Sequence, residues 1–300
     1  MMIDMHVHLS DKRIYPEYWL QGIKKDLIQK IRVENDIVIS DAFIDSYFEQ
    51  VLSDRDAAKL IAQMDKNGVD EAVVLLLDLG YDRGDIANSI EEIYEIYHQV
   101  LKKHRDRLKV FAGIDPRRGK EGVDLFEKGI KEYGFCGLKL YPPCGFEIDD
   151  TRLHPYYEIC NAHSIPILIH IGPSLPEMKT EFRYPQSILA VTEEFKRIPF
   201  ILGHAALCFY DSSWDLPLKS ERIFLEVSGF QKQMHQYDLL AKRMKHLFEV
   251  CPNHIVFGSD WPIFSDLKQS VEFFSQMKSL TDRHKELLFH KNAEGIFSMG

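Results

Sequence analysis

Residues 3–9 read IDMHVHL, a short apolar run that ends on two histidines one residue apart. In a β-strand the side chains alternate between two faces, so His6 and His8 point to one side and Val7 to the other. Two imidazoles on one face of a strand can bind one metal ion. Three later apolar runs also end on residue types that bind metals, namely His170 in ILIHIG (167–172), His204 in ILGHAAL (201–207) and Asp260 in IVFGSDWP (255–262).

These runs lie too far apart in the sequence to form a local motif, so a fold must bring their ends together. A parallel (β/α)8 barrel does so, because the carboxyl ends of all its strands open onto one face, where active sites are built. Barrels of this kind commonly span about 250 residues as one domain. We therefore predict an α/β fold, a single TIM barrel over residues 1–300, with strands at 2–9, 71–78, 108–114, 135–141, 166–171, 199–204, 222–228 and 254–260.

Amphipathic segments separate the predicted strands, as repeated βα units require. The clearest is DIANSIEEIYEIYHQVLKKH (85–104), where apolar residues recur at helical spacing and Asp85 is the expected N-cap. Further helices are predicted near 54–67, 120–133, 151–163, 185–197, 237–250 and 266–278, followed by helical pieces through residue 297.

Residues 10–53 form a connection far longer than the roughly 2–6 residues usual after a barrel strand. An insertion at this point lies above the active-site face of the barrel, and part of it, 26–30, has a helical pattern. Three roles fit its Tyr15, Tyr18 and Trp19: an apolar wall or lid over a substrate, a packing cluster, or a contact between two copies of the chain in a homo-oligomer. The sequence does not distinguish among these roles.

The composition excludes several classes of partner. The net charge is −9, and no basic stripe with interleaved aromatic residues favours nucleic acid. The longest apolar stretches, such as AVVLLL at 72–77, are far shorter than the roughly 18 residues that span a bilayer. The chain begins directly with a predicted strand and has 5 cysteines without a CxxC pair, so we expect a cytoplasmic protein with reduced thiols.

Six motifs in order resemble the amidohydrolase superfamily, and in particular its amidohydrolase-related branch, family two, which contains metal-dependent hydrolases and decarboxylases. The resemblance covers nearly the whole chain. Its motifs are DMHVH (4–8), GLKLYP (137–142), LIHIG (168–172), LGHAA (202–206), GSDWP (258–262) and NAEGIF (292–297). Any one of them alone is weak, whereas their common order is specific.

The resemblance implies that His6, His8, His170 and Asp260 hold one divalent ion, usually zinc. Three imidazoles and a carboxylate suit zinc or a similar ion, which lowers the pKa of bound water to about 7. In the implied reaction Asp260 takes the proton of the attacking water and passes it to the leaving group. His204 is expected to hydrogen-bond or polarise the substrate, although the matching histidine of some relatives serves a second metal.

Lys139 in GLKLYP has two interpretations. In dinuclear members of the superfamily a carboxylated lysine at this strand end bridges two metals, so a second ion would follow from such a modification. Unmodified, Lys139 is instead a cation among the ligands, suited to pair with a substrate carboxylate. The resemblance favours the arrangement with one metal.

The motifs favour a hydrolase that acts on a C–N or C–O bond of a small molecule, such as an amide, a cyclic amide or a lactone. The alternative is nonoxidative decarboxylation of an unsaturated or aromatic acid at a similar metal site, and a catalytically inert metal-binding scaffold is a third possibility. A substrate with a carboxylate would need a basic partner. Besides Lys139, the candidates are the arginines that follow predicted strands, at positions 83, 117, 118, 152 and 183.

Overall fold

The computed structural model describes residues 1–35, 38–81, 87–178, 181–229, 236–263 and 266–299. Eight parallel strands form one sheet in which each strand pairs with the next along the chain. The predicted (β/α)8 barrel is therefore confirmed. The strands are β1 Ile3–Val7, β2 Glu71–Leu75, β3 Leu108–Gly113, β4 Gly137–Leu140, β5 Ile167–His170, β6 Phe200–Gly203, β7 Ile223–Glu226 and β8 Ile255–Val256.

The barrel is closed by hydrogen bonds between its last and first strands. The Met5 N–H donates to the Phe257 carbonyl at 2.9 Å, and the Asp260 N–H donates to the His6 carbonyl at 2.7 Å. The second of these bonds joins two of the predicted metal ligands through their backbones. Closure of the sheet thus also fixes the relative positions of the ends of β1 and β8.

The hydrophobic core has two parts, one inside the barrel and one between the strands and the surrounding helices. The interior part is closed at the amino-terminal end of the barrel by the segment NAEGIF. Ala293 and Ile296 pack there against the inward-facing residues of the strands, and Asn292 donates to the Pro252 and Ile255 carbonyls at 2.9 and 2.8 Å. The interior strand residues are Ile3, Met5, Val73, Leu75, Phe111, Leu168, Ile201, Phe224 and Val256.

Helices surround the barrel and close its amino-terminal end. They are α1 Glu17–Asn35, α2 Asp41–Val51, α3 Ala58–Asn67, α4 Ile90–Lys103, α5 Gly119–Lys128, α6 His154–His163, α7 Gln186–Glu194, α8 Tyr210–Ser213, α9 Leu216–Lys219, α10 Tyr237–Val250, α11 Leu267–Ser275, α12 Asp282–Glu286 and α13 Asn292–Phe297. Single π-helical turns, Gly129–Tyr133 and Leu287–Lys291, extend α5 and α12.

The start of α4 differs from the sequence prediction. Its N-cap is Ser89, whose hydroxyl accepts from the Glu92 N–H while the Glu92 carboxylate accepts from the Ser89 N–H. This reciprocal capping box defines the helix start four residues after Asp85. Asp85 itself lies outside the described residues.

The insertion at 10–53 folds into two helices, α1 and α2, on a closed stem. Asp11 and Ser53 form an antiparallel bridge, and the Asp54 N–H donates to the Ser10 carbonyl at 2.7 Å. The predicted helical segment at 26–30 lies within α1. Because the stem brings the two ends of the insertion together, α3 and β2 follow in the normal barrel order.

No helix in the described part of the chain is both long and apolar enough to cross a bilayer.

Candidate metal centre

His6 and His8 present nitrogen atoms to each other at the carboxyl end of β1. Their Nε2 atoms are 3.2 Å apart. The Nδ1 atom of His6 lies 2.9 Å from a carboxylate oxygen of Glu226, and that of His8 lies 3.0 Å from the Leu75 carbonyl. Each Nδ1 thus faces an acceptor oxygen, which favours a proton on Nδ1. In that tautomer Nε2 is the nitrogen that each ring can offer to a metal.

The alternation of inward and outward side chains along β1 becomes irregular close to His6 and His8. Met5 packs inside the barrel and Val7 in the outer core, and the register with β2 shifts between Asp4 and Val7. Such an irregularity redirects side chains near a site. His6 and His8 still meet on one side, as the sequence predicts, but their strand is not a regular two-residue repeat.

Asp260 joins these two histidines from the turn after β8. Its Oδ1 atom lies 3.6 Å from both Nε2 atoms, and ligand atoms of the three residues all lie within 4.8 Å of one another. A cation shared by these three groups would offset the mutual repulsion of their lone pairs. Two nitrogen ligands of a tetrahedral zinc ion are about 3.3 Å apart, given bond lengths of about 2.0–2.1 Å. The donor set thus fits a divalent metal ion.

His170 and His204 continue the site along β5 and β6. The two ring centroids are 4.9 Å apart, and the ring of His204 lies 4.8 Å from that of His6. His170 Nε2 donates to the Pro173 carbonyl at 3.1 Å, which leaves Nδ1 as its ligand nitrogen. Burial holds the pKa of His170 well below its ordinary value, with a further contribution from His204. His170 therefore stands beside the triad as a neutral ring.

His204 is neutral for the same reason. Burial lowers its pKa to about 4, and His6 lowers it further, whereas Asp260 and Glu226 oppose the shift. Its Nδ1 atom lies 2.9 Å from the Ser228 hydroxyl and 3.3 Å from the Ser228 carbonyl. Because a carbonyl only accepts, Nδ1 is the donor and Nε2 is left as a hydrogen-bond acceptor.

Lys139, at the end of β4, is the buried cation of the site. Its side chain is 1% exposed, and its Nζ atom has no hydrogen-bond partner among the described residues. Burial lowers its pKa to about 7, although the charges of Asp260 and Glu226 act in the opposite direction. A buried ammonium without a partner is costly, so this position favours a bound anion.

Two functional residues at the end of β7, Glu226 and Ser228, were missed in the sequence. Both are fully buried, and Glu226 receives hydrogen bonds from His6, from Ser228 and from the His204 backbone. The available signal was the position of Glu226 in IFLEVSG, where a carboxylate ends an apolar strand as His170 and His204 do.

Asp4 supports the same region from the side of β1. Its Oδ1 atom accepts from the His6 and Ser259 N–H groups, each at 3.0 Å. Burial raises the pKa of Asp4 to about 7, while the hydrogen bonds from Ser259 and His6 lower it. Asp4 thus links β1 to the segment that carries Asp260.

Aromatic side chains from the insertion cover the strand ends. Tyr15 and Trp19 are buried, with stacked rings 5.0 Å apart, and Trp19 lies beside Tyr141, which follows β4. Tyr141 in turn packs against His170, with 4.6 Å between ring centroids. Burial and the nearby charge of Asp260 raise the pKa of Tyr15. The insertion therefore contacts the surroundings of the metal ligands.

The candidate arginines at the barrel rim are held in ion pairs with aspartates. Arg118 pairs with Asp78, and Arg117 with Asp115. Arg117 also borders a rim cavity of about 170 Å³ between the loops after β2, β3, β4 and β5. The other described arginines pair with Asp150 and Asp149, namely Arg152 and Arg183, and Arg83 lies outside the described residues. Lys139 is thus the candidate cation with no such partner among the described residues.

A protein-family model described as "Amidohydrolase" matches residues 3–298. No curated protein sequence matches the chain significantly. The family match covers every strand and every ligand candidate described above.

Solved structures share the architecture at low sequence identity. An uncharacterised TIM-barrel protein from Bordetella bronchiseptica is 15% identical, with a TM-score of 0.72 over 99% of this chain and 98% of its own. A 5-carboxyvanillate decarboxylase from Novosphingobium aromaticivorans, solved with manganese and a nitrobenzoic acid, is 16% identical, with a TM-score of 0.70 over 99% and 96%. A dihydroxybenzoic acid decarboxylase from Polaromonas sp., solved with manganese and 2-nitroresorcinol, is 13% identical, with a TM-score of 0.66 over 99% and 97%. At these identities the similarity shows the fold alone.

Proposed function

This chain belongs to the amidohydrolase family, and from that premise we propose that it is a metal-dependent nonoxidative decarboxylase of a small aromatic or unsaturated carboxylic acid. The sequence motifs favoured hydrolysis and kept decarboxylation as the alternative. The comparisons support that alternative at least as well, since several proteins of the same fold are named as decarboxylases.

The proposed ligands of one divalent ion are His6, His8, His170 and Asp260. Zinc is the ion suggested by the imidazole-rich donor set, and manganese is the ion present in the two decarboxylases of similar fold. When bound, such an ion supplies a Lewis acid that polarises oxygen atoms of the substrate. The contribution of the chain is to hold four neutral or anionic ligands in fixed tautomers and positions.

Lys139 is the observation that carries the proposal. It is a buried amine beside the ligand cluster, with no hydrogen-bond partner among the described residues. An anionic substrate group next to Nζ would stabilise the charged form of Lys139 and offset its burial. A neutral amide or lactone would not do so. The substrate we expect therefore carries a carboxylate.

The reaction requires one proton to replace carbon dioxide. The bond between the substrate carbon and its carboxylate breaks, carbon dioxide leaves, and the electron pair left on the carbon takes up a proton from the solvent. We assign the transfer of that proton to Asp260, a carboxylate that is only 7% exposed and lies beside both Nε2 atoms. The site itself is reached past His8 and His170, which are its partly accessible members.

Hydrolysis of a C–N or C–O bond is the second candidate function, and His204 is the observation that favours it. The pKa of His204 is lowered to about 4 by burial, so at neutral pH its Nε2 is unprotonated and accepts hydrogen bonds. A hydrogen-bond acceptor near the ligands suits the orientation of an attacking water. The two candidate functions therefore depend on different residues, Lys139 and His204.

The test is a substrate panel assayed for carbon dioxide. Protein loaded with zinc or manganese is incubated in D2O with hydroxy- and methoxybenzoates and, separately, with lactones and amides. We expect carbon dioxide release from at least one acid, with one deuterium on the vacated carbon. The Lys139→Met variant should lose at least about tenfold in kcat/KM and keep its metal, because it removes the charge at similar volume.

Lys109→Met is the matched control. Lys109 lies on the neighbouring strand β3, at the amino-terminal end of the barrel, where it pairs with Glu71. The Lys109→Met variant should retain wild-type turnover. Turnover of lactones or amides without carbon dioxide release would instead establish hydrolysis. Equal turnover of acids by wild type and Lys139→Met would remove the observation on which the proposal stands.

A further inference from the structure

Glu226 is a carboxylate buried in the barrel interior whose hydrogen-bonding capacity is used by groups of the chain itself. Its Oε2 atom lies 2.9 Å from His6 Nδ1, 2.8 Å from the Ser228 hydroxyl and 3.2 Å from the His204 N–H. Its Oε1 atom accepts from the Ser228 N–H. An ionised carboxylate has about four lone-pair sites, and four donors point at this one.

The bond to His6 decides which nitrogen of that ring faces the other metal ligands. Because the carboxylate accepts from Nδ1–H, the lone pair of His6 is on Nε2, opposite Nε2 of His8 at 3.2 Å. If Nδ1 lost this acceptor, the proton would be able to move to Nε2. His6 would then present a proton instead of a lone pair to the site.

Glu226 also acts on His204, by two routes. The His204 backbone has a φ of +64°, and its N–H in this conformation donates to Glu226. The Ser228 hydroxyl donates to Glu226 and therefore accepts from His204 Nδ1–H at 2.9 Å. One carboxylate on β7 thus orients a ligand on β1 directly and the β6 histidine through Ser228.

A second metal site is the competing interpretation, since ligand atoms of His6, His204 and Glu226 lie within 4.8 Å of one another. The hydrogen bonds argue against it. The Nδ1 atoms of His6 and His204 that face Glu226 and Ser228 are donors, and the carboxylate oxygens already accept four bonds. An ion at this point would have to displace all of these contacts.

We propose that Glu226 is a positioning residue that holds His6 in the tautomer required for metal binding. Ser228 transmits its effect mainly to His204, because its hydroxyl lies 2.9 Å from His204 Nδ1 and 3.4 Å from His6 Nδ1. This inference rests on the metal centre of the proposed function, but not on which reaction that centre performs. It assigns different consequences to two adjacent residues. Loss of Glu226 should affect metal affinity, whereas loss of Ser228 should affect turnover.

The test measures metal binding without substrate. Zinc and manganese dissociation constants are measured by chelator competition on the full-length, metal-free chain. The Glu226→Gln variant should bind either metal about 10–100-fold more weakly, the usual effect of removing a partner of a metal-bound histidine. Ser228→Ala should bind metal within about threefold of wild type and show a lower kcat with an unchanged KM. The exposed Glu249→Gln variant is the control for loss of a carboxylate.

Several outcomes would overturn the inference. Wild-type metal affinity in Glu226→Gln, or a fall in its thermal midpoint alone, would make Glu226 purely structural. Two ions per wild-type chain, of which Glu226→Gln loses one, would make it a ligand. If Glu226→Gln does not fold, a Ser228→Ala variant with weakened metal binding contradicts the division of roles. A wild-type chain that binds no metal would instead refute the proposed function.

Discussion

His204 and Asp260 share a backbone conformation that is uncommon outside glycine, with φ angles of +64° and +58°. Left-handed φ values in residues with a Cβ store conformational strain, and such strain is characteristic of functional sites. At both positions the unusual backbone places a side chain at the mouth of the barrel. We interpret the strain as the cost of presenting these two groups to the metal centre.

This strain predicts the relative stability of two variants at position 204. His204→Gly should be about 1 kcal/mol more stable than His204→Ala, because both lack the ring and only glycine adopts a positive φ freely. The measurement is urea unfolding of the metal-free proteins. At the helical position Lys245 the order should reverse, since alanine is preferred in helices. An alanine variant at 204 as stable as the glycine variant would show that no strain is stored there.

The glycine of the GSDWP motif, Gly258, occupies a position where a side chain does not fit. A Cβ atom at this position would lie 2.2 Å from Oε1 of Glu226 and 2.7 Å from Cβ of His6. We therefore expect Gly258→Ala to displace both side chains and to weaken zinc binding at least about tenfold, as measured by chelator competition. Gly295→Ala is the control, because a Cβ there meets no atom within 4 Å. Unchanged affinity in Gly258→Ala would mean that the contact between Glu226 and His6 does not govern metal binding.

At this scale the sequence identified the groups that end apolar strands but not the groups that orient them. The residues His6, His8, His204 and Asp260 converge because strand ends of a barrel converge. The sequence shows that Glu226 ends an apolar run, but it does not show the role of this residue. That role depends on the tautomer of His6, which is a property of three-dimensional hydrogen bonding.

Among the elements, the insertion at 10–53 departs most from the regular barrel pattern. The sequence indicated its position and a helical segment, and left open whether Tyr15, Tyr18 and Trp19 form a lid, a packing cluster or a contact between copies. The structure buries Tyr15 and Trp19 near Tyr141 and Asp260, and the Tyr18 hydroxyl donates to the Leu79 carbonyl at 2.8 Å. These contacts support the role of a wall beside the substrate.

The wall role predicts a selective effect of Trp19→Phe. Phenylalanine keeps most of the apolar packing but lacks the indole N–H that lies beside Tyr141. We expect KM to rise several-fold while metal affinity stays the same, as measured by steady-state kinetics and chelator competition. Phe43→Leu, on the exposed side of α2, should leave both unchanged. If KM is also unchanged in Trp19→Phe, the insertion serves packing only.

Two other elements show why local patterns were incomplete. The shift in β1 between Asp4 and Val7 comes from its pairing with β2 and β8, which no alternation within IDMHVHL reveals. The start of α4 at Ser89 comes from a capping box, a signal that was present in the sequence as S-x-x-E. The irregularity of β1 reflects tertiary structure, whereas the start of α4 follows a local capping rule.

For the whole molecule, the barrel separates a stability face from a functional face. Asn292 lies at the amino-terminal face, where it donates to the Pro252 carbonyl, which follows α10, and to the Ile255 carbonyl at the start of β8. Asn292→Ala should lower the free energy of unfolding by about 1–3 kcal/mol, because one buried and one partly buried carbonyl lose their donor. Urea unfolding measures this effect. Metal affinity should not change, and a loss of affinity in this variant would show that the two faces are coupled.

The overall architecture could be predicted because eight apolar runs separated by amphipathic segments, four of them ending on residue types that bind metals, are compatible with few folds. All eight observed strands lie within their predicted ranges. The choice between decarboxylation and hydrolysis could not be predicted from such a pattern of apolar runs. It depends on the environment of Lys139 and His204, which the barrel creates from residues distant in sequence.

The most direct test of the metal centre is the metal content per chain, measured by elemental mass spectrometry after reconstitution with zinc or manganese and dialysis. We predict about one equivalent in wild type and in Lys139→Met, and nearly none in His8→Ala, His170→Ala and Asp260→Asn. About two equivalents, with one lost in Lys139→Met, would contradict this account and indicate a bridging carboxylated lysine. A full equivalent retained by His8→Ala would show that the ligands were assigned wrongly.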